Sequence, residues 1–161
     1  MDFLFQAADR LHADNPMFRL LILGDGPLRD FVQTACDERP WCKSVGAKTG
    51  RDKAQYLAIA DVLLNPGLVG LNILDAFVAG VPMVTTDCHL HSPEIAYLSN
   101  GRNGLITENT INSFVSGVQS ILGDDNYRDR LKIGCHQAGE HYTIENMAKK
   151  FQLGILQALE S

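Results

Sequence analysis

Five strand-length apolar runs alternate with helical patterns along this chain, and that alternation admits few folds. The runs fall at residues 18–23, 44–46, 61–65, 82–86 and 104–106. Helical periodicity occupies 28–38, 52–59 and 71–79 between them, and an amphipathic helix precedes the first run. Strands separated by crossover helices pair in parallel, and parallel strands buried on both faces read as continuous apolar stretches such as Leu20-Leu21-Ile22-Leu23. The expected fold class is therefore α/β: a Rossmann-like three-layer α/β/α arrangement with a parallel sheet. Three extra C-terminal helices follow at 110–122, 127–138 and 144–159. The last places Ile144, Met147, Ala148, Phe151, Ile155 and Leu159 on one stripe, which predicts that it packs against something.

At 161 residues, 45% hydrophobic and 20% charged, the chain has the size and apolar content of one globular domain over 1–161. It starts inside a helix with no strand ahead of it, from which a fragment of a longer protein is expected. A net charge of -5 without a basic stripe argues against nucleic acid as a partner. Cys36, Cys42, Cys88 and Cys135 show neither CxxC pairing nor zinc-type spacing. Reduced thiols in a cytoplasmic protein are the simplest account of them. The stretch from Met1 to Arg10 has no basic leader and no apolar run of the length expected of a signal peptide or a membrane span.

Ligands of open parallel sheets bind outside the carboxyl ends of the strands, so the loops after Leu23, Gly46, Asn65 and Thr86 should share one edge. The loop Pro66-Gly67-Leu68-Val69-Gly70 leads into Leu71-Asn72-Ile73-Leu74-Asp75, a helix start with a carboxylate close behind. First-turn amides and the positive helix end favour an anion, and a carboxylate accepts from hydroxyls. The plainer reading has Asp75 complementing the helix dipole and Gly67 ending a strand. Gly24-Asp25-Gly26-Pro27 lacks the third glycine of a dinucleotide fingerprint and reads as a tight strand-to-helix turn. His89, His91 and Glu94 lack the spacing of a helical metal pair. Ser92-Pro93-Glu94 reads instead as a helix start with serine as its cap.

The order of these landmarks resembles the C-terminal, nucleotide-sugar-binding domain of group 1 retaining glycosyltransferases, enzymes of the two-Rossmann-domain (GT-B) architecture. The matching stretches are Leu20-Leu21-Ile22-Leu23-Gly24-Asp25-Gly26-Pro27, Val45-Gly46, Ala60-Asp61-Val62-Leu63-Leu64-Asn65-Pro66 and Leu74-Asp75-Ala76-Phe77. Ala79-Gly80-Val81-Pro82, Pro93-Glu94-Ile95 and Asn103-Gly104-Leu105-Ile106 complete the series. The resemblance implies that the parent protein is a hexosyltransferase-type enzyme moving a sugar from a nucleotide-diphosphate sugar to an acceptor hydroxyl, with no cofactor and no metal. The acceptor, a glycan or a lipid-linked acceptor, would be met by a missing N-terminal domain. The isolated chain would be inactive, and the full-length protein would be cytoplasmic, working at the inner membrane face. The resemblance places diphosphate contacts on Gly70, Leu71 and Asn72, base contacts on Val45, Ala47 and Lys48, and ribose on Asp75. It assigns no catalytic residue to this chain.

Two departures stand out. The family's first loop glutamate, which contacts the donor sugar, maps onto Gly67, and its basic diphosphate clamp lies upstream of Met1. Losing two charge-assisted bonds would weaken donor binding roughly 10²- to 10⁴-fold, with Lys48 and Arg51 compensating in part. The alternatives left open are a divergent enzyme, a non-catalytic Rossmann-like nucleotide-binding or partner-docking module, and half of a nucleotide-sugar epimerase.

Overall fold

The computed structural model describes residues 1–160 and is α/β with parallel strands throughout. The elements in order are α1 (Asp2–Asp14), β1 (Leu20–Leu23), α2 (Arg29–Asp37), β2 (Cys42–Gly46), α3 (Gly50–Ala58), β3 (Leu63–Asn65) and α4 (Asn72–Ala79). Then come β4 (Met83–Asp87), a short 3-10 helix (Pro93–Tyr97), β5 (Gly104–Glu108), α5 (Ile111–Leu122), α6 (Asp125–His141) and α7 (Ile144–Glu160). All five expected strands form. The second is longer than its sequence pattern suggests, starting at Cys42. Lys43 is exposed there, so the strand does not read as an apolar run.

Strand β4 divides two cores because its side chains alternate between faces. Val84 joins one cluster with Phe5 and Leu11 of α1 and Phe114 and Val118 of α5. Met83 joins the other with Ile73 and Phe77 of α4, Leu98, and Cys135 of α6. Helices therefore cover both faces, which is the three-layer arrangement. Gly80 ends α4 in the left-handed region at φ 68°, as its place after Ala79 implies. Gly104 is fixed by close approach instead: a Cβ there would lie 2.4 Å from the Met83 carbonyl oxygen. The adjacent Asn103 is 3% exposed, donates to the Tyr97 carbonyl at 3.1 Å and accepts from the Ser99 amide at 2.7 Å.

The strands form two sheets rather than one continuous sheet. β1 pairs with β2, and β3, β4 and β5 pair in that order. β1 and β3 feed the same core cluster through Leu20, Ile22 and Leu64, yet no ladder joins them. Leu21 is 36% exposed although its strand has the composition of a sheet interior. The stripe on α7 also lacks the partner that its periodicity predicts: Ile144, Met147, Phe151 and Leu159 are exposed. Its first turn is tied to the end of α6 by the Asn146 side chain, which donates to the His141 carbonyl at 2.9 Å.

The open edges have a measurable signature. Leu20 N–H donates to Trp41 and Leu63 N–H to Pro82, so by strand alternation the Leu21 and Leu64 amides point away from their partner strands. Hydrogen exchange read residue by residue should show Leu21 and Leu64 exchanging at least about 100-fold faster than Leu20 and Leu63. Equal protection would mean that the two sheets are joined in solution.

Candidate functional site

The carboxyl ends of β1 to β4 converge on one edge, and hydrogen bonds tie their loops together. Gly24 N–H donates to the Gly46 carbonyl at 3.0 Å, linking the loops after β1 and β2. The loop after β3 is held from β4: Thr85, fully buried, donates its hydroxyl to the Gly67 carbonyl at 3.1 Å. Ser92 donates to the Val69 carbonyl at 2.5 Å. Val69 itself is fully buried in the second core, so the glycine loop is anchored at its centre and open on either side.

This loop delivers α4 without a cap. Leu71 occupies the cap position with no side-chain bond to the first turn, a poor choice where Ser, Thr, Asp or Asn would serve. Among the described residues no protein acceptor takes the Gly70, Leu71 or Asn72 amides. Helices α2 and α3, which also open at this edge, start without side-chain caps as well. By contrast Thr110 caps α5 and Asp124 caps α6, accepting from the Ser113 and Tyr127 amides at 3.2 and 2.9 Å. The α4 mouth therefore presents unsatisfied donors where the helix dipole is positive.

Asp75 lies on the fourth residue of α4 and forms an ion pair with Lys53 of α3. Sequence reasoning missed Lys53, because a partner 22 residues away leaves no periodic trace. The two residues stay half-exposed, so the carboxylate keeps a face toward solvent. Lys48 is half-buried and Arg51 exposed beside it, and among the described residues neither pairs with a carboxylate.

Val45 lines a cavity of about 480 Å³ between the loops after β1 and β2, whose other wall is the turn from Gly24 to Leu28. That turn thus serves both as a strand-to-helix turn, as read from sequence, and as a cavity wall. Ala47 is exposed just outside. Gly67 stands in open space, with nothing within 4 Å of where its Cβ would be. The loop after β4 behaves differently from its sequence reading. Ser92 does precede the 3-10 helix, but its hydroxyl is spent on Val69 and makes no cap bond. His91 bonds the Thr86 carbonyl through Nε2 at 2.7 Å, holding the loop over the end of β4. Two buried oxygens in this region, Thr86 Oγ1 and Glu94 Oε2, have no partner among the described residues.

The family model described as Glycosyl transferases group 1 matches residues 1–124, which contain this whole edge. The chain belongs to the group 1 glycosyltransferases. It is 26% identical over 161 residues to an exopolysaccharide phosphotransferase of Streptomyces coelicolor, covering 94% of this chain and 17% of that protein. Among solved structures it is similar to a GtfA/B complex (TM-score 0.82, 18% identity, 100% of this chain and 34% of that one). It is similar also to an S. aureus TarM variant solved with fondaparinux, alpha-GlcNAc-glycerol and UDP (0.80, 17%, 94% and 31%). Anabaena HepE in complex with UDP is a third (0.72, 16%, 92% and 44%). These likenesses show a Rossmann-like GT-B fold. The chain spans about a sixth of the curated relative and a third to under a half of the structural ones. No helix among the described residues is long and apolar enough to cross a membrane.

The Lys53–Asp75 pair is too exposed to be retained for stability. Half-exposed pairs contribute about 0.2–1 kcal/mol. A double-mutant cycle with Lys53→Met and Asp75→Asn, followed by urea unfolding, should therefore give a coupling below about 1 kcal/mol. A larger coupling would make the pair a structural lock.

Proposed function

We propose that this chain is the donor-binding half of a retaining glycosyltransferase, taking a nucleotide-diphosphate sugar at the edge formed by the loops after β2 and β3. The observation that carries this reading is the uncapped mouth of α4, with a half-exposed carboxylate four residues in. A departing diphosphate would be stabilised by the Gly70, Leu71 and Asn72 amides, aided by Lys48, Arg51 and Lys53, which lie within six residues of one another. Such stabilisation calls for no metal. Asp75 would accept from the ribose hydroxyls through the face that Lys53 leaves free, and the base would enter the cavity at Val45, with Ala47 and Lys48 at its rim. Structural relatives solved with UDP support a nucleotide in this place.

Acceptor recognition belongs, on this reading, to the larger part of the relatives that the chain does not span. The isolated chain would then bind nucleotide weakly and transfer no sugar. A hexosyl group as the sugar transferred, a glycan or lipid-linked acceptor, and work at a membrane face are parts of the same proposal.

The Streptomyces relative is named for phosphoryl rather than glycosyl transfer, and this favours one alternative chemistry on the same donor. The two differ in the bond broken. Glycosyl transfer cleaves the bond from sugar to phosphate and releases a nucleoside diphosphate. Transfer of a sugar phosphate cleaves the pyrophosphate and releases a nucleoside monophosphate.

Calorimetry of the chain with UDP, GDP and ADP sugars in the presence of EDTA should show weak binding of one of them. Asp75→Ala should weaken it roughly 10- to 100-fold, the loss of a hydrogen bond to a charged group. Unchanged binding would remove Asp75 from the site, and no binding by any nucleotide would overturn the donor reading. In the longer protein, release of diphosphate supports glycosyl transfer and release of monophosphate overturns it.

Gly67 supplies a gain-of-function test. Its backbone is outside the left-handed region and its Cβ direction is empty, so Gly67→Glu should change stability by no more than about 0.5 kcal/mol. Restoring the carboxylate that the family carries there should raise affinity for the sugar nucleotide over the bare nucleoside diphosphate about fivefold or more, read by competition calorimetry. Equal affinities would show that Gly67 lies outside the sugar's reach.

A further inference from the structure

Cys36 and Cys42 lie away from the donor edge, and the proposed chemistry uses neither. Cys36 sits in the last turn of α2 and Cys42 opens β2, both buried. Their Sγ atoms are 3.0 Å apart, well inside the sum of two sulfur van der Waals radii. The connection between them is short and ordered: Arg39 N–H bonds the Cys36 carbonyl at 2.9 Å, and Cys42 N–H bonds the Arg39 carbonyl at 2.8 Å. Arg39 is itself clamped to Asp9 of α1 through two bonds of 2.7 and 2.9 Å. A disulfide needs sulfurs about 2.05 Å apart, so the pair has roughly 1 Å to close.

We propose that Cys36 and Cys42 are a redox-active thiol pair that a hydroperoxide converts to a disulfide joining α2 to β2. One thiolate of the pair attacks a peroxide oxygen, the O–O bond breaks and hydroxide leaves, giving a sulfenic acid. The second thiol attacks that sulfur, the S–S bond forms and water departs. Two thiols and one hydrogen peroxide thus give one disulfide and two waters, with two electrons passing from sulfur to oxygen. Burial and the neighbouring Cys36 push the Cys42 pKa up to about 12, which keeps the resting Cys42 a thiol. Cys88 and Cys135 have no such neighbour: Cys88 lies near His91, and Cys135 donates to the Asn103 carbonyl at 3.2 Å. The bond would fix α2 against the strand that leads to Val45, on the side of the 480 Å³ cavity that both elements line.

The test uses the full chain, reduced with dithiothreitol, desalted and treated with hydrogen peroxide in slight excess. Thiols titrated in guanidinium should fall from four to two. Trypsin leaves the Arg39–Pro40 bond intact, so both cysteines stay in the peptide spanning 30–43, which should lose two hydrogens in mass and regain them on reduction. The oxidised chain should melt roughly 4–8 °C higher than the reduced one. Cys36→Ser and Cys36→Ala should each hold three thiols before and after treatment. Four thiols remaining in the parent chain, a peptide that gains oxygen instead of losing hydrogen, or a bond through Cys88 or Cys135 would each overturn the proposal.

Discussion

The hydroxyl of Thr85 against the carbonyl of Gly67 is the contact on which the functional edge depends. β4 is the one strand buried across both faces and paired on both sides, so its end is the most rigid point at which a loop can be fixed. Thr85 lies on the same face as Met83, where the second core packs, and at 0% exposure its hydroxyl cannot be left unsatisfied without a cost of about 1–3 kcal/mol. Bonding Gly67 resolves that demand and sets where the chain leaves β3. Two residues on, buried Val69 is held by Ser92. With both points fixed, the loop enters α4 with its amides facing outward and without a cap.

How much of this was legible depended on how local the cause was. Apolar runs sufficed to locate the strands, most fully at β4, which is buried on both faces and is apolar or threonine throughout its buried length, and least at β2, where exposed Lys43 hides the strand's start. The division into two sheets was not legible, because pairing between β1 and β3 is a long-range matter and Leu20-Leu21-Ile22-Leu23 has an interior composition in either case. The stripe on α7 predicted that the helix packs against something, and among the described residues its apolar side chains are exposed. Periodicity records which face is apolar and carries no information on what covers it. Ser92 failed as a cap for the opposite reason: the local rule was sound, but the Val69 carbonyl competed for the same hydroxyl and won.

The site itself divided in the same way. The glycine loop, the α4 mouth and Asp75 were visible as a contiguous pattern, whereas Val45 was singled out only through the family resemblance, the carboxyl-edge rule having pointed no further than to the loops after Leu23, Gly46, Asn65 and Thr86. Lys53 was not visible, because its role arises only when α3 and α4 are packed side by side. The motif Asn103-Gly104 proved to concern packing alone. Asn103 satisfies two main-chain groups and Gly104 lets β5 approach Met83, so their part in the family pattern reports the fold rather than the chemistry.

A chain of net charge -5 that is to hold a diphosphate must concentrate positive potential locally, since its overall field repels anions. On the proposed reading the edge would meet this requirement with three cations at Lys48, Arg51 and Lys53 around the start of α3, set against Asp52 in the same turn, and with the open amides of α4. At physiological salt, screening sets in at about 8 Å, so acidic residues on the far side of the molecule subtract little from this cluster. Asp75 is the one carboxylate bonded into it, and Lys53 neutralises it. Without that pairing, a negative charge at the α4 mouth would oppose the anion that we propose the mouth receives. With it, Asp75 would offer acceptor oxygens to hydroxyl groups while the net local charge stays positive, so the proposed pentose and pyrophosphate sites are compatible within one small region.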